Sequence, residues 1–238
     1  MADGTRTAGG KGGDGIQWLA EIGEPGARAR GLAPGGPDAD GEVGGVVFAR
    51  GISPEELARR MGADPAAGTA PISGTELRDL DIEVYRPGDE GDGVIRIGDC
   101  GAWSFAIEYG DSTGGELLIE IARDGVEVVH FRPMPEQRPA LLDYARDGAV
   151  LCGFGLGEER WRWGQEPDLL VPDLVAARVL EPDGITRCGS DGAGGVAAHR
   201  RTLGAFERRF GLSLPRAALD GLRLPAYAVR GTPGMVPY

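Results

Sequence analysis

The sequence predicts an α+β fold, a largely antiparallel sheet flanked by helices, in a single domain with a flexible N-terminal extension. Three observations carry this. Short segments of alternating or continuous apolar character crowd the middle of the chain, where they read as strands. Segments with helix start and stop signals lie around them. Turn signals such as Arg146-Asp147-Gly148 join consecutive strands as hairpins.

The N-terminal extension occupies residues 1–41. Residues 1–14 are rich in glycine and too poor in apolar side chains to offset the entropy of ordering. "IQWLAEIG" gives a short docking helix at 16–22, with Ile16, Leu19 and Ile22 on one side. Its length of about two turns is not stable alone in water. It is therefore expected to dock on the main domain with Trp18 buried. The linker "EPGARARGLAPGGPDADG" follows, too rich in Gly and Pro to pack.

The α+β domain is expected over residues 42–230, with 231–238 as a tail. Val46, Val47 and Phe48 open it as a buried strand. In "GISPEELARRMGADP" Ser53 is an N-cap, Pro54 takes the first helical position, and Glu56 completes a capping box. Leu57 and Met61 face inward, Gly62 ends the helix, and Pro65 prevents its resumption. Each special residue has a geometric job, so the motif is architecture and not a chemical site.

"DIEVYRP", "GVIRIGD" and "WSFAIEY" read as three strands; in the last, Trp103, Phe105 and Ile107 form a strongly apolar face. "TGGELLIEIARDG" suits helix or strand, and helix is favoured because Leu117, Leu118 and Ile121 share a helical face. "VEVVHFRP", "ALLDYARDG" and "AVLCGFG" give a second group of strands. "EPDLLVPDLVAARVLEPDG" reads as a helix with Asp168 near its cap. "GGVAAHRRTLGAFERRFGL" is the longest helix, striped by Val196, His199, Leu203, Phe206 and Phe210. "SLPRAALDG" repeats the cap logic, and "LPAYAVR" adds a terminal strand.

Composition narrows the function. A net charge of -12 argues against nucleic-acid backbones and anionic membranes as partners. No apolar run approaches the roughly 20 residues that span a bilayer, and the N-terminus lacks a signal peptide's apolar core. Cys100, Cys152 and Cys188 are widely spaced, odd in number and without a CxxC pair, which fits reduced thiols in a cytoplasmic protein. Lys11 is the only lysine; with 42 glycines this reads as the codon bias of a GC-rich genome.

Together the run "FARGISPEELARRMGADP", the strand "IGDCGAWSFAIE" and "LGAFERRFGLSL…LDG" resemble an uncharacterised family of actinobacterial proteins, common in Streptomyces and its relatives, that carry a domain of unknown function. The resemblance spans roughly residues 16–230. It implies a bacterial cytosolic protein and carries over no catalytic residues.

Candidate sites are few. With His130 and His199 the only histidines, a histidine-rich metal site is excluded, and no metal or cofactor is expected. The cluster of Asp89, Glu90 and Asp92 with Asp99 lacks cation-loop spacing. The G-x-G-x-x-A match at Gly192–Ala197 lacks a firm preceding strand and reads as chance. His199 lies on its helix's apolar stripe, the place of a packed imidazole. "ERWRW" sets Trp161 and Trp163 on one face of an extended segment, able to grip a partner or to cap a core edge. Arg160 and Arg162, on the other face, suit a carboxylate or the acidic surface. The leading expectation is a non-catalytic binding or regulatory protein that recognises a protein or peptide through these four residues. The alternative is a small-molecule or peptide-tailoring enzyme in which His130 works with Glu108 or Asp99 in acid-base chemistry.

Overall fold

Strand pairing decides the architecture. The computed structural model describes residues 15–22, 43–64, 66, 68, 70–79, 92–110, 113–133, 139–189 and 195–230. Its strands are β1 (Val43–Arg50), β2 (Asp92–Cys100), β3 (Trp103–Gly110), β4 (Glu127–Arg132), β5 (Leu141–Arg146), β6 (Ala149–Gly155), β7 (Arg162–Trp163) and β8 (Ala226–Arg230). They form one sheet in the order β7-β6-β5-β4-β1-β3-β2-β8, antiparallel at every pairing. The helices are α1 (Pro54–Arg60), α2 (Gly74–Asp79), α3 (Thr113–Glu116), α4 (Leu118–Ile121), α5 (Val171–Ala176), α6 (Val196–Phe210) and α7 (Ala217–Asp220), with a 3-10 helix at Gln17–Glu21. This is the α+β class the sequence predicts. The predicted strand "DIEVYRP" lies outside the described residues, as does the first half of the Gly192–Ala197 match.

Both sheet faces are covered. On one, Phe48, Phe105, Ile107, Phe131, Leu142 and Phe154 meet Leu203, Phe206 and Phe210 of α6 and Trp18 and Leu19 of the 3-10 helix. On the other, Val47, Ile95, Ile97, Ala106 and Val128 meet Leu57 and Met61 of α1 and Leu118 and Ile121 of α4. The polar positions of β3 are therefore buried too and need partners. Ser104 donates to the Ile52 carbonyl at 2.7 Å, and Glu108 accepts from the Gly114 N–H at 2.7 Å.

Local signals account for the helices. In α1 the Glu56 N–H donates to Ser53 Oγ, and Arg59 and Arg60 both pair with the Glu56 carboxylate. The segment "TGGELLIEIARDG" is helical but breaks at Leu117 into α3 and α4. The long helix expected after Glu166 shrinks to α5, because Pro172 delays its start and Arg178 turns left-handed, with φ of 55°. Gly211, at φ of 67°, ends α6.

The 3-10 helix docks against α6 and the segment after it. Trp18 is buried and its Nε1 donates to the Leu214 carbonyl at 3.0 Å. The Glu21 carboxylate accepts from both Arg200 and Arg216. Burial opposes ionisation of Glu21, but those two hydrogen bonds outweigh it and hold its pKa below the usual carboxylate value.

Candidate functional site

Strand β7 forms one edge of the sheet. Trp163 lies opposite Gly153 of β6, which in turn lies opposite Asp143 of β5. A side chain at Gly153 would block this row: a Cβ there would sit 2.2 Å from Trp163 Nε1 and 2.4 Å from Asp143 Oδ1. Glycine instead lets the indole fold back over the sheet, where Trp163 Nε1 donates to Asp143 Oδ1 at 2.8 Å. The ring is pinned yet remains 40% exposed, and Trp161 is 64% exposed. Neither caps the core, which the sequence left open.

The flanking arginines divide: one departs from the expected placement and the other does not. Arg160 does not stand on the opposite face; its guanidinium lies 5.1 Å from the Trp161 ring centroid. Arg162 does turn away from Trp163, and its side chain is nearly buried. It donates to Asp168 at 2.7 and 3.0 Å and to the carbonyls of Glu159 and Gly184 at 2.6 and 3.1 Å. That pairing fixes the turn that presents the two indoles.

His130 and Glu108 also meet, with Nε2 and Oε2 3.3 Å apart. They stand on β4 and β3, which are separated by β1. The side chains reach across β1, where Gly45 lies opposite Glu108 and Val47 opposite His130. Each is 1% exposed. Gly114 closes over them, so tightly that a Cβ there would lie 2.4 Å from Val47 and 3.1 Å from both Glu108 oxygens. Beside them Thr113 is buried, with a hydroxyl that has no hydrogen-bond partner among the described residues. The geometry allows proton sharing, but both side chains are shut from solvent. Asp99 stays apart: it is exposed near the far end of β2, opposite Ser104, whereas Glu108 lies opposite Ile95.

His199 is half-buried on α6, beside Gly157. Sequence reasoning missed its surroundings. Glu159 is wholly buried and accepts from the Gly157 N–H at 3.0 Å and the Thr202 hydroxyl at 2.8 Å, with Arg187 Nε 3.5 Å from its second oxygen. Arg96, also wholly buried, was missed as well; it donates to the Ile72, Leu219 and Leu222 carbonyls and to the Tyr109 hydroxyl. No sequence motif marks either, since apart from the Gly157 N–H these partners lie far along the chain. Cys152 donates to the Pro167 carbonyl at 3.2 Å, and burial pushes its thiol up to about 11, the opposite of an activated nucleophile. Among the described residues no group of three or more His, Cys, Asp and Glu could hold a metal ion. Nor is any described helix long and apolar enough to cross a membrane.

Fold and site thus define an α+β protein built on one antiparallel sheet, with two exposed indoles at one edge, of which Trp163 is anchored by Asp143. Residues 44–186, more than half of the chain, match the model of DUF6461, a family of unknown function. The chain belongs to that family. The match covers β1 to β7 and the indole pair, and stops short of α6 and β8. No curated protein and no solved structure matches the chain.

Proposed function

We propose that the protein is a non-catalytic binding or regulatory protein that recognises a protein or peptide partner through Trp161 and Trp163. The observation that carries this reading is the state of Trp163: exposed, yet locked by its hydrogen bond to Asp143 over Gly153. A large aromatic ring held rigid in solvent loses little entropy on binding, which is the character of an interface hot spot. Trp161 beside it widens the apolar surface, and exposed patches of this kind mark interaction sites. The arginine-dominated composition supports a GC-rich, actinobacterial source, and three free cysteines support a reducing, cytoplasmic setting.

A second reading, the acid-base enzyme, has the 3.3 Å contact between His130 and Glu108 in its favour. Their burial weighs against it, because a substrate needs access to the proton it exchanges.

Retention of proteins from a lysate of the source cells tests the two readings together. Immobilised wild-type chain is compared with the Trp161→Ala/Trp163→Ala double variant and with His130→Gln. A retained protein lost only with the double variant is the expected result. Retention indifferent to both tryptophans would overturn the binding reading.

A further inference from the structure

Three of the four tryptophans carry an arginine over the ring. Arg216 lies 5.9 Å from the Trp18 centroid, Arg50 4.9 Å from Trp103 and Arg160 5.1 Å from Trp161. Among the described residues Trp163 alone has none. Its ring is better prepared for a cation than the others in one respect. Its N–H is spent on a carboxylate, and an N–H donating to an anion pushes electron density into the indole, which strengthens the negative face that attracts cations.

The surroundings point to the same sign of charge. Between residues 158 and 168 Glu158 and Glu166 are exposed carboxylates, whereas Glu159 is buried beside Arg187 and Asp168 is paired with Arg162. Both arginines are committed, Arg160 to the Trp161 ring and Arg162 to Asp168 and two carbonyls. Asp143 adds a carboxylate at the N–H edge of the indole. A net charge of -12 steers cations toward the molecule over longer range.

We infer that Trp163 receives an arginine side chain from a basic segment of the partner, stacked on the exposed face of the ring within reach of the neighbouring carboxylates. A guanidinium is chosen over an ammonium because it is planar, weakly hydrated and able to stack and pair at once. This deepens the binding reading and rests on it, since it names the chemistry of the partner that the indole pair takes.

The test uses the whole chain and short peptides of identical length made of arginine, lysine or citrulline, the last a neutral isostere of arginine. Affinities for wild type and variants are measured by calorimetric titration, and in the wild type the indole N–H resonance of Trp163, assigned by its loss in Trp163→Phe, is followed by NMR. The arginine peptide is expected to shift that resonance saturably and to bind about tenfold more tightly than citrulline, with the affinity falling as salt rises. Trp163→Leu, which keeps an apolar side chain but no π face, is expected to lose the same factor. Trp163→Phe, with a smaller ring, should lose less, and it serves as the variant if Leu disturbs folding. Citrulline or lysine binding as tightly as arginine, a Trp163 resonance that does not move, or self-association of the chain that Trp163→Leu abolishes would each overturn the inference. The two failures are distinguishable: if the arginine peptide leaves Trp163 unmoved while lysate retention still depends on the tryptophans, only the partner's chemistry is wrong.

Discussion

A methyl group at Gly153 would fall 2.2 Å from Trp163 Nε1, so Gly153→Ala must either expel the indole or shift β6. Overpacking of this kind costs about 1–3 kcal/mol. Chemical denaturation should show that loss, and the indole N–H signal of Trp163 should move toward its exposed position; a variant unchanged in both would contradict the seat described for the ring. In the buried pair, Glu108→Ala removes the acceptor of the Gly114 N–H and the carboxylate facing His130. An expected cost of about 1–3 kcal/mol follows from stranding buried polar groups, and Glu108→Gln should cost less because its amide oxygen still accepts from Gly114. Equal stability of Glu108→Ala and wild type would show that the pair holds nothing together. Cys152, with its thiol raised to about 11 by burial, should react with a thiol reagent at pH 8 much more slowly than the half-exposed Cys100 and Cys188. Three equally fast thiols would contradict that burial.

At the scale of elements, the 3-10 helix is held to α6 and the segment after it by the buried Trp18 indole and by two carboxylates. Glu21 pairs with Arg200 and Arg216, and Glu207 accepts from the Ile16 N–H. Trp18→Ala should cost about 3 kcal/mol through the cavity and the unpaired Leu214 carbonyl, read as a lower denaturation midpoint; an unchanged midpoint would mean that the segment is not part of the core. The Glu21 contribution has a definite pH sign. Its folded pKa is depressed below 4.5, so the stabilisation is fully present above about 4.5 and fades as pH falls through the lower folded value. Glu21→Gln should accordingly flatten the acid limb of the stability curve, and an identical acid limb would remove Glu21 from the clamp. The same elements show what the sequence could reveal. Helix α1 was legible because its cap, its first-turn proline and its terminal glycine act within a few residues. Helix α5 was overextended because nothing local signals the left-handed turn at Arg178. Helix α2 went unread although its start signal is as local as that of α1: Ser73 and Glu76 form a reciprocal capping box, in which the Glu76 N–H donates to Ser73 Oγ and the Ser73 N–H to the Glu76 carboxylate.

Across the whole molecule, class was legible and order was not. Alternation and turn residues give strands, but nothing near Val43–Arg50 says that β1 inserts between β3 and β4. That insertion sets the route by which Glu108 reaches His130, across β1. Strand β7 pairs with β6 alone and ends the sheet, so the accessibility of Trp163 depends on pairings that a single sequence does not display. The outcome is a molecule with an enclosed histidine–glutamate pair near the middle strands and open indoles at one margin. The central claim is that recognition happens at that margin. Calorimetric titration of the purified retained partner into wild type, Trp161→Ala/Trp163→Ala and His130→Gln tests it most directly. Two hot-spot residues lost together should weaken binding by about 100-fold or more, while His130→Gln leaves the affinity near that of wild type. Full affinity in the double tryptophan variant, with binding lost in His130→Gln, would contradict the account.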